Sequence, residues 1–126
     1  WWRYLPNRHY LDILDTHLPS GRKRNVTIYS ESKFEGEGFQ VFLDRNYTLN
    51  LDGNLIDVWR SMMQSDILIM SKSDFSFVPA LLGQARVLYT PFHSAPFPGW
   101  ETIDEDISNR TERSFKKTGL MGQRVV

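Results

Sequence analysis

Cysteine is absent from the 126 residues, which removes disulfide frameworks, thiolate metal sites and cysteine nucleophiles together. A Cys-free chain fits either redox compartment. Long apolar runs are lacking as well: Ile67-Leu68-Ile69-Met70 is strand-sized, far from the roughly 18 residues of a membrane-spanning helix. No transmembrane segment is expected. An excess of charge is also missing. Fifteen Lys plus Arg stand against fifteen Asp plus Glu, so the chain offers no basic surface to a polyanion, and Arg22-Lys23-Arg24 is too short to reverse that. Nucleic acid is not an expected partner. The opening Trp1-Trp2-Arg3-Tyr4 has neither a starting Met nor the sections of a signal peptide, so the chain is read as a fragment.

What is present suffices for one domain. A hydrophobic fraction of 40%, with eight Phe, five Tyr and four Trp, supplies the large apolar groups that a core needs. Leu11, Leu14 and Leu18 recur at spacings of three and four after Pro6, predicting an amphipathic helix over 7–18 that Asn7 can cap. Residues 25–30 are β-branched and aromatic and read as a strand. Residues 33–45 are irregular or a short helix, in which Phe34, Phe39, Val41, Phe42 and Leu43 seek burial. A second strand over 47–51 stops at the turn pair Asp52-Gly53. Asn54 then caps a helix over 54–65 with a stripe of Leu55, Trp59, Met62 and Met63. Residues 67–70 form a strand buried on both faces, and the next helix ends at Gly83. Pro79 favours a cap at Ser76, which places the proline in the first turn where a missing N–H is tolerated. Residues 85–89 form a further strand. Residues 93–126 read as an irregular tail that packs back through Trp100, Ile103 and Phe115.

Strands alternating with helices predict an α/β domain, a three-layer Rossmann-like parallel sheet. Ligands of such sheets bind beyond the carboxyl ends of the strands, which nominates Ser30-Glu31, Asp52-Gly53-Asn54, Ser71 to Ser76 and Thr90 to His93. The turn from Ser71 to Ser76 is the most informative, since a strand there hands over to a helix start where free N–H groups and the serine hydroxyls can meet a phosphate. Lys72 could add a charge or turn to solvent, and Asp74 at the helix start competes with an anion. The same serines also serve as ordinary caps. Glu31 and Asp52 could accept hydrogen bonds from ribose or sugar hydroxyls, although turn chemistry explains Asp52 equally well. Asp66 lies at the opposite edge.

His9, His17 and His93 have no metal-ligand spacing, so no metal is expected. Glu35-Gly36-Glu37-Gly38 lacks the dinucleotide glycine spacing, and there is neither a Gly-x-Ser-x-Gly elbow nor a phosphate loop ending in Gly-Lys-Ser/Thr. Common hydrolases and nucleotide hydrolases fall away.

The string from Ser65 to Leu82 resembles the donor-binding lobe of glycosyltransferases built from two Rossmann-like lobes (the GT-B type), particularly fucosyltransferase-like proteins. In these an Ala/Ser-Asp pair leads a strand into a Ser-x-Ser-Ser-Phe-Ser segment and a helix. Arg3-Tyr4-Leu5-Pro6-Asn7 with Tyr10-Leu11 is similar to the segment after the family's His-x-Arg-Arg-Gly-Asp loop, and Ile28-Tyr29-Ser30-Glu31 to its next strand end. The resemblance spans residues 3 to 92.

It implies transfer of a sugar, such as fucose from GDP-fucose, to a hydroxyl of a glycan acceptor, without a metal or other cofactor. By position, Ser71, Ser73, Asp74, Phe75 and Ser76 would hold the donor diphosphate, with Ser30, Glu31 and Asp52 nearer the nucleoside or sugar. No catalytic base is identified. Asp74 stands where the family has its second Ser, and Pro79 where it has a small helix residue. The arginine-bearing loop is expected upstream of residue 1, so the chain alone is expected to be inactive and to require its N-terminal lobe as partner. Sequons at Asn25, Asn46 and Asn109, with the resemblance, point to the Golgi lumen or secretory pathway. The alternative is a noncatalytic, degenerate α/β module that packs on a partner through exposed aromatics such as Trp1, Trp2 and Trp100.

Overall fold

A computed structural model describes residues 4–18, 24–33, 38–92 and 94–104. The chain runs α1 (Asn7–Thr16), β1 (Thr27–Ser30), α2 (Gln40–Leu43), β2 (Thr48–Leu51), α3 (Leu55–Gln64), β3 (Ile67–Ile69), α4 (Asp74–Leu82), β4 (Arg86–Tyr89) and β5 (Glu101–Thr102). It is a mixed α/β architecture of short parallel strands, compatible with a Rossmann-like arrangement. All three strand pairings, β1–β2, β3–β4 and β4–β5, are parallel.

The single sheet expected from the sequence is instead two. β1 and β2 form one, and β3, β4 and β5 the other. Shared helical layers hold the pieces together. Strand side chains alternate in direction, so Ile28, Ile69 and Leu88 meet α1 and α2 through Tyr10, Ile13, Leu14 and Phe42. Leu68, Met70, Val87 and Tyr89 point the other way, toward Val58 and Met62 of α3 and Ala80 of α4.

Each helix has an identifiable local cause. α1 starts behind Pro6, which occupies the cap position without a side-chain bond. Asn7, expected to cap, instead donates from its side-chain amide to the Gly38 carbonyl at 2.7 Å. α2 condenses around Phe42, which is fully buried, while Val41 and Leu43 of the same turn stay exposed because one turn has only one inward face. It ends in a left-handed Asn46 (φ 58°), whose N–H bonds to the Leu43 carbonyl. Asn54 caps α3, its side chain accepting from the Ile56 and Asp57 N–H groups. Leu55, expected on the buried stripe, is exposed.

The start of α4 corrects the sequence reading. Its cap is Ser73, whose hydroxyl accepts the Phe75 N–H at 3.0 Å, so Pro79 lies inside the helix rather than in its first turn. The helix tolerates this because Trp59 of α3 sends its indole N–H to the Phe75 carbonyl at 2.9 Å, the acceptor that residue 79 would serve if it were not proline. At the far end, a Cβ on Gly83 would come within 2.8 Å of the Met63 Cα, so the glycine sets how closely α4 approaches α3.

Beyond β4 the chain forms an aromatic cluster, in which Phe77 meets Phe92, Phe97 and Trp100 at centroid distances of 6.5, 5.7 and 5.6 Å. Trp100 then leads into β5, which Glu101 ties to β4 through a bidentate bond with Arg86. Ile103 is buried. Phe115 lies outside the described residues.

Candidate functional site

The strands end together at one edge. Phe75, which follows β3, lines the same cavity as Ser30 and Asp52, which close β1 and β2. The cavity measures about 200 Å³ and is lined by Tyr29, Ser30, Glu31, Asn50, Asp52 and Gly53, with Val58 of α3 and Phe75 of α4 at its back. That falls below the ~300–1,000 Å³ of pockets that engulf a drug-sized ligand. It suits one ring of a ligand.

Asp52 builds the rim. Its backbone is left-handed (φ 57°), its N–H donates to the Ser30 carbonyl at 3.0 Å, and its Oδ1 accepts the Ser32 N–H at 3.0 Å. These bonds clamp the turn after β1 to the turn after β2. Hydrogen bonding from Ser32, with a smaller contribution from the charge of Lys33, holds the Asp52 carboxyl below its ordinary value. It is an anion at neutral pH. Gly53 keeps the floor open, since a Cβ there would stand 2.5 Å from the Asn50 Oδ1 and 2.7 Å from the Val58 Cγ2.

Ser30 is the unusual member. Its residue is 9% exposed, and its Oγ is buried without a hydrogen-bond partner. A buried hydroxyl left unsatisfied costs about 1–3 kcal/mol, so such groups are uncommon unless something else completes them.

The serine turn behaves differently from the expectation that its hydroxyls present themselves to a phosphate. Ser71, Ser73 and Ser76 are all buried, Ser76 completely. The Ser76 hydroxyl donates to the carbonyls of Ser71 and Ser73, at 3.1 and 3.0 Å. The Ser71 and Ser76 oxygens lie 3.2 Å apart; with the Ser76 proton directed at carbonyls, Ser71 is the donor between them. The N–H groups of Ser76 and Phe77 both bond to the Ser73 carbonyl. The turn is thus closed on itself. Lys72 is buried too, whereas Asp74 is exposed in the first turn of α4, where a carboxylate favours the helix dipole.

The structure therefore gathers Ser30, Glu31, Asp52 and Phe75 around one cavity and leaves Ser71, Ser73, Asp74 and Ser76 out of its lining. Asp66 is exposed at the opposite edge, where its carbonyl accepts the Arg86 N–H. His93 lies outside the described residues. A contact that sequence reasoning missed joins His9 of α1 to Thr90 after β4, Nε2 to Oγ1 at 3.0 Å, both side chains buried. The available signal was spacing: His9 stands four residues before Ile13 on the helix face that is buried.

Among the described residues no three His, Asp or Glu side chains gather as a metal group, and no helix is long and apolar enough to cross a membrane. Comparison with protein-family models, curated proteins and solved structures finds no match.

Proposed function

We propose that this chain is the donor-binding part of a fucosyltransferase-like glycosyltransferase of the GT-B type, and that the cavity between the ends of β1 and β2 takes the nucleoside end of a nucleotide diphosphate sugar such as GDP-fucose. The observation that carries the reading is the gathering of Ser30, Glu31 and Asp52 around one cavity, with the Ser30 hydroxyl buried and unpartnered beneath its surface. A ribose hydroxyl or a base edge would complete it once the Ser30 side chain rotates toward the cavity. The ionised Asp52 and exposed Glu31 beside it are acceptors suited to sugar hydroxyls, and the cavity volume suits one ring, with the rest of the nucleoside lying outside it.

The diphosphate needs another seat. The Ser71 and Ser76 hydroxyls and the N–H groups of Phe75, Ser76 and Phe77 already bond within the turn, so charge on a leaving diphosphate would have to be met by other groups. This same observation favours a second reading, the noncatalytic α/β module.

Isothermal titration with guanosine, GDP and GDP-fucose separates the two. The donor-lobe reading expects all three to bind weakly and similarly, with Kd on the order of 1 mM, about −4 kcal/mol, because the nucleoside makes the contacts. Absence of binding by any of them at several millimolar would leave the noncatalytic module.

A further inference from the structure

The two sheets face each other across a gap. Among the described residues β1 carries ladder bonds only toward β2, and β3 only toward β4, while a cavity of about 610 Å³ lies between them. Thr27 and Tyr29 form one wall and Ile67 and Ile69 the other, with Leu14 of α1 and Met62 of α3 among the lining from opposite helical layers. We infer that this slot is the seat of a further β-strand, parallel to its neighbours and apolar on both faces, which leads directly into α1.

Size supports a strand. A strand rises roughly 3.3 Å per residue and lies about 4.8 Å from each neighbour in its sheet. The slot runs beside Thr27 to Tyr29 and Ile67 to Ile69, long enough for at least three residues, near the length of its neighbours. Only an extended backbone would satisfy the open edges of both buried strands at once.

Handedness supports the connection. α1 starts near the carboxyl edge, where His9 reaches Thr90, and its far end, with Leu14 and Leu18, shares the slot lining with Arg24 and Asp66 at the amino edge. A strand feeding α1 thus runs the same way as β1. α1 and α2 pack in one layer and α3 and α4 in the other. Right-handed crossovers with α1 and α2 on the same face must step in the same direction, so the strand before α1 falls beside β1 on the side away from β2. That position is the slot. The step through α3, on the opposite face, then carries the chain back across it to β3. Arg24 adds a polar mark, since its Nη2 is buried without a partner and the residue lines the slot. A backbone carbonyl at the amino end of the incoming strand would accept from it.

The test is independent of nucleotide binding. The 126-residue chain is titrated with a synthetic peptide carrying Val-Ile-Val-Val-Ile between pairs of Lys, with a control in which alternate residues are Pro, and amide exchange is followed by NMR. A second version fuses the same strand to the amino end through a flexible linker of about ten residues, which can span roughly 17 Å as a coil. The expected result is at least 100-fold slower exchange for amides in both Thr27–Ser30 and Ile67–Ile69 with the peptide or the fusion, in a monomer by sedimentation, and no effect of the Pro control. Three results would overturn the inference: no slowing with either version, slowing confined to Thr48–Leu51 at the outer edge, or a dimer of the unmodified chain that already protects β1 and β3.

Discussion

The indole N–H of Trp59 donates to the carbonyl oxygen of Phe75 at 2.9 Å, and Phe75 is the residue whose carbonyl Pro79 cannot serve. The bond joins α3 to α4 and offsets the proline inside α4. Trp59→Phe is expected to cost about 1–3 kcal/mol, since a carbonyl loses its donor. In a Pro79→Ala background the N–H that alanine introduces supplies the missing bond, so the cost of Trp59→Phe should shrink there by about 1 kcal/mol. Urea unfolding of the four proteins in this cycle gives the coupling. Equal costs in both backgrounds would show that the indole acts only by packing.

Gly83 makes a related prediction. Its missing Cβ leaves room for the Met63 backbone, with Cα at 2.8 Å and O at 3.0 Å from the position that a methyl group would take. Backbone cannot rotate away as a side-chain tip can, so Gly83→Ala is expected to destabilise by about 1–3 kcal/mol. Gly38, which would meet nothing within 4 Å, provides the contrast: Gly38→Ala should stay within about 0.5 kcal/mol of the parent. Thermal unfolding of the two variants tests the pair.

These contacts mark where a sequence reading stops. The α3 boundaries were legible because Asn54 is a local cap acting on N–H groups two and three residues away. The α4 start was not, because the weight given to Pro79 assumed that its lost bond went unreplaced, and Trp59 lies twenty residues upstream. Strand positions followed from runs such as Ile67-Leu68-Ile69, yet the break between β1 and β3 depends on long-range pairing that no local pattern encodes. In the site, edge topology brought Ser30 and Asp52 forward. The inward turn of Ser71 and Ser76 depends on which carbonyls the fold leaves beside them.

Acid sensitivity follows from two surface pairs. Arg45 binds Asp15 through two bonds of 2.7 and 3.0 Å, and Arg86 holds Glu101 likewise. Hydrogen bonding from the arginines keeps both carboxyls below their ordinary values of 3.8 and 4.5. A depressed folded-state pKa contributes stability above the ordinary value and loses it as pH falls through the folded one, so the loss belongs below about pH 4. Both pairs are solvent-exposed, which limits each to about 0–1 kcal/mol. Asp15→Asn and Glu101→Gln should therefore flatten stability against pH between about 5 and 2, in chemical unfolding at a series of pH values. Unchanged slopes would remove these pairs from the account.

Ser76 separates a structural turn from a phosphate seat. Its hydroxyl is completely buried and bonded to the carbonyls of Ser71 and Ser73. Ser76→Ala is expected to lower stability by about 1–2 kcal/mol while leaving GDP and guanosine affinities of the folded protein unchanged. A variant that unfolds like the parent but loses affinity for GDP and not for guanosine would return the serine turn to the role its resemblance implies.

Ser30 carries the opposite expectation for folding. Because its hydroxyl is buried without a partner, Ser30→Ala removes a desolvation penalty and should leave stability unchanged or raise it by up to about 1 kcal/mol. If the cavity takes a nucleoside that completes this hydroxyl, the same change weakens guanosine binding by about 5- to 10-fold, close to one hydrogen bond. The two effects have opposite signs, and a purely structural role for the serine cannot produce both. Thermal unfolding and titration of one preparation measure them side by side. Loss of stability with no change in affinity would place the hydroxyl in the fold's own bonding and withdraw the support it lends to a nucleotide-sugar site.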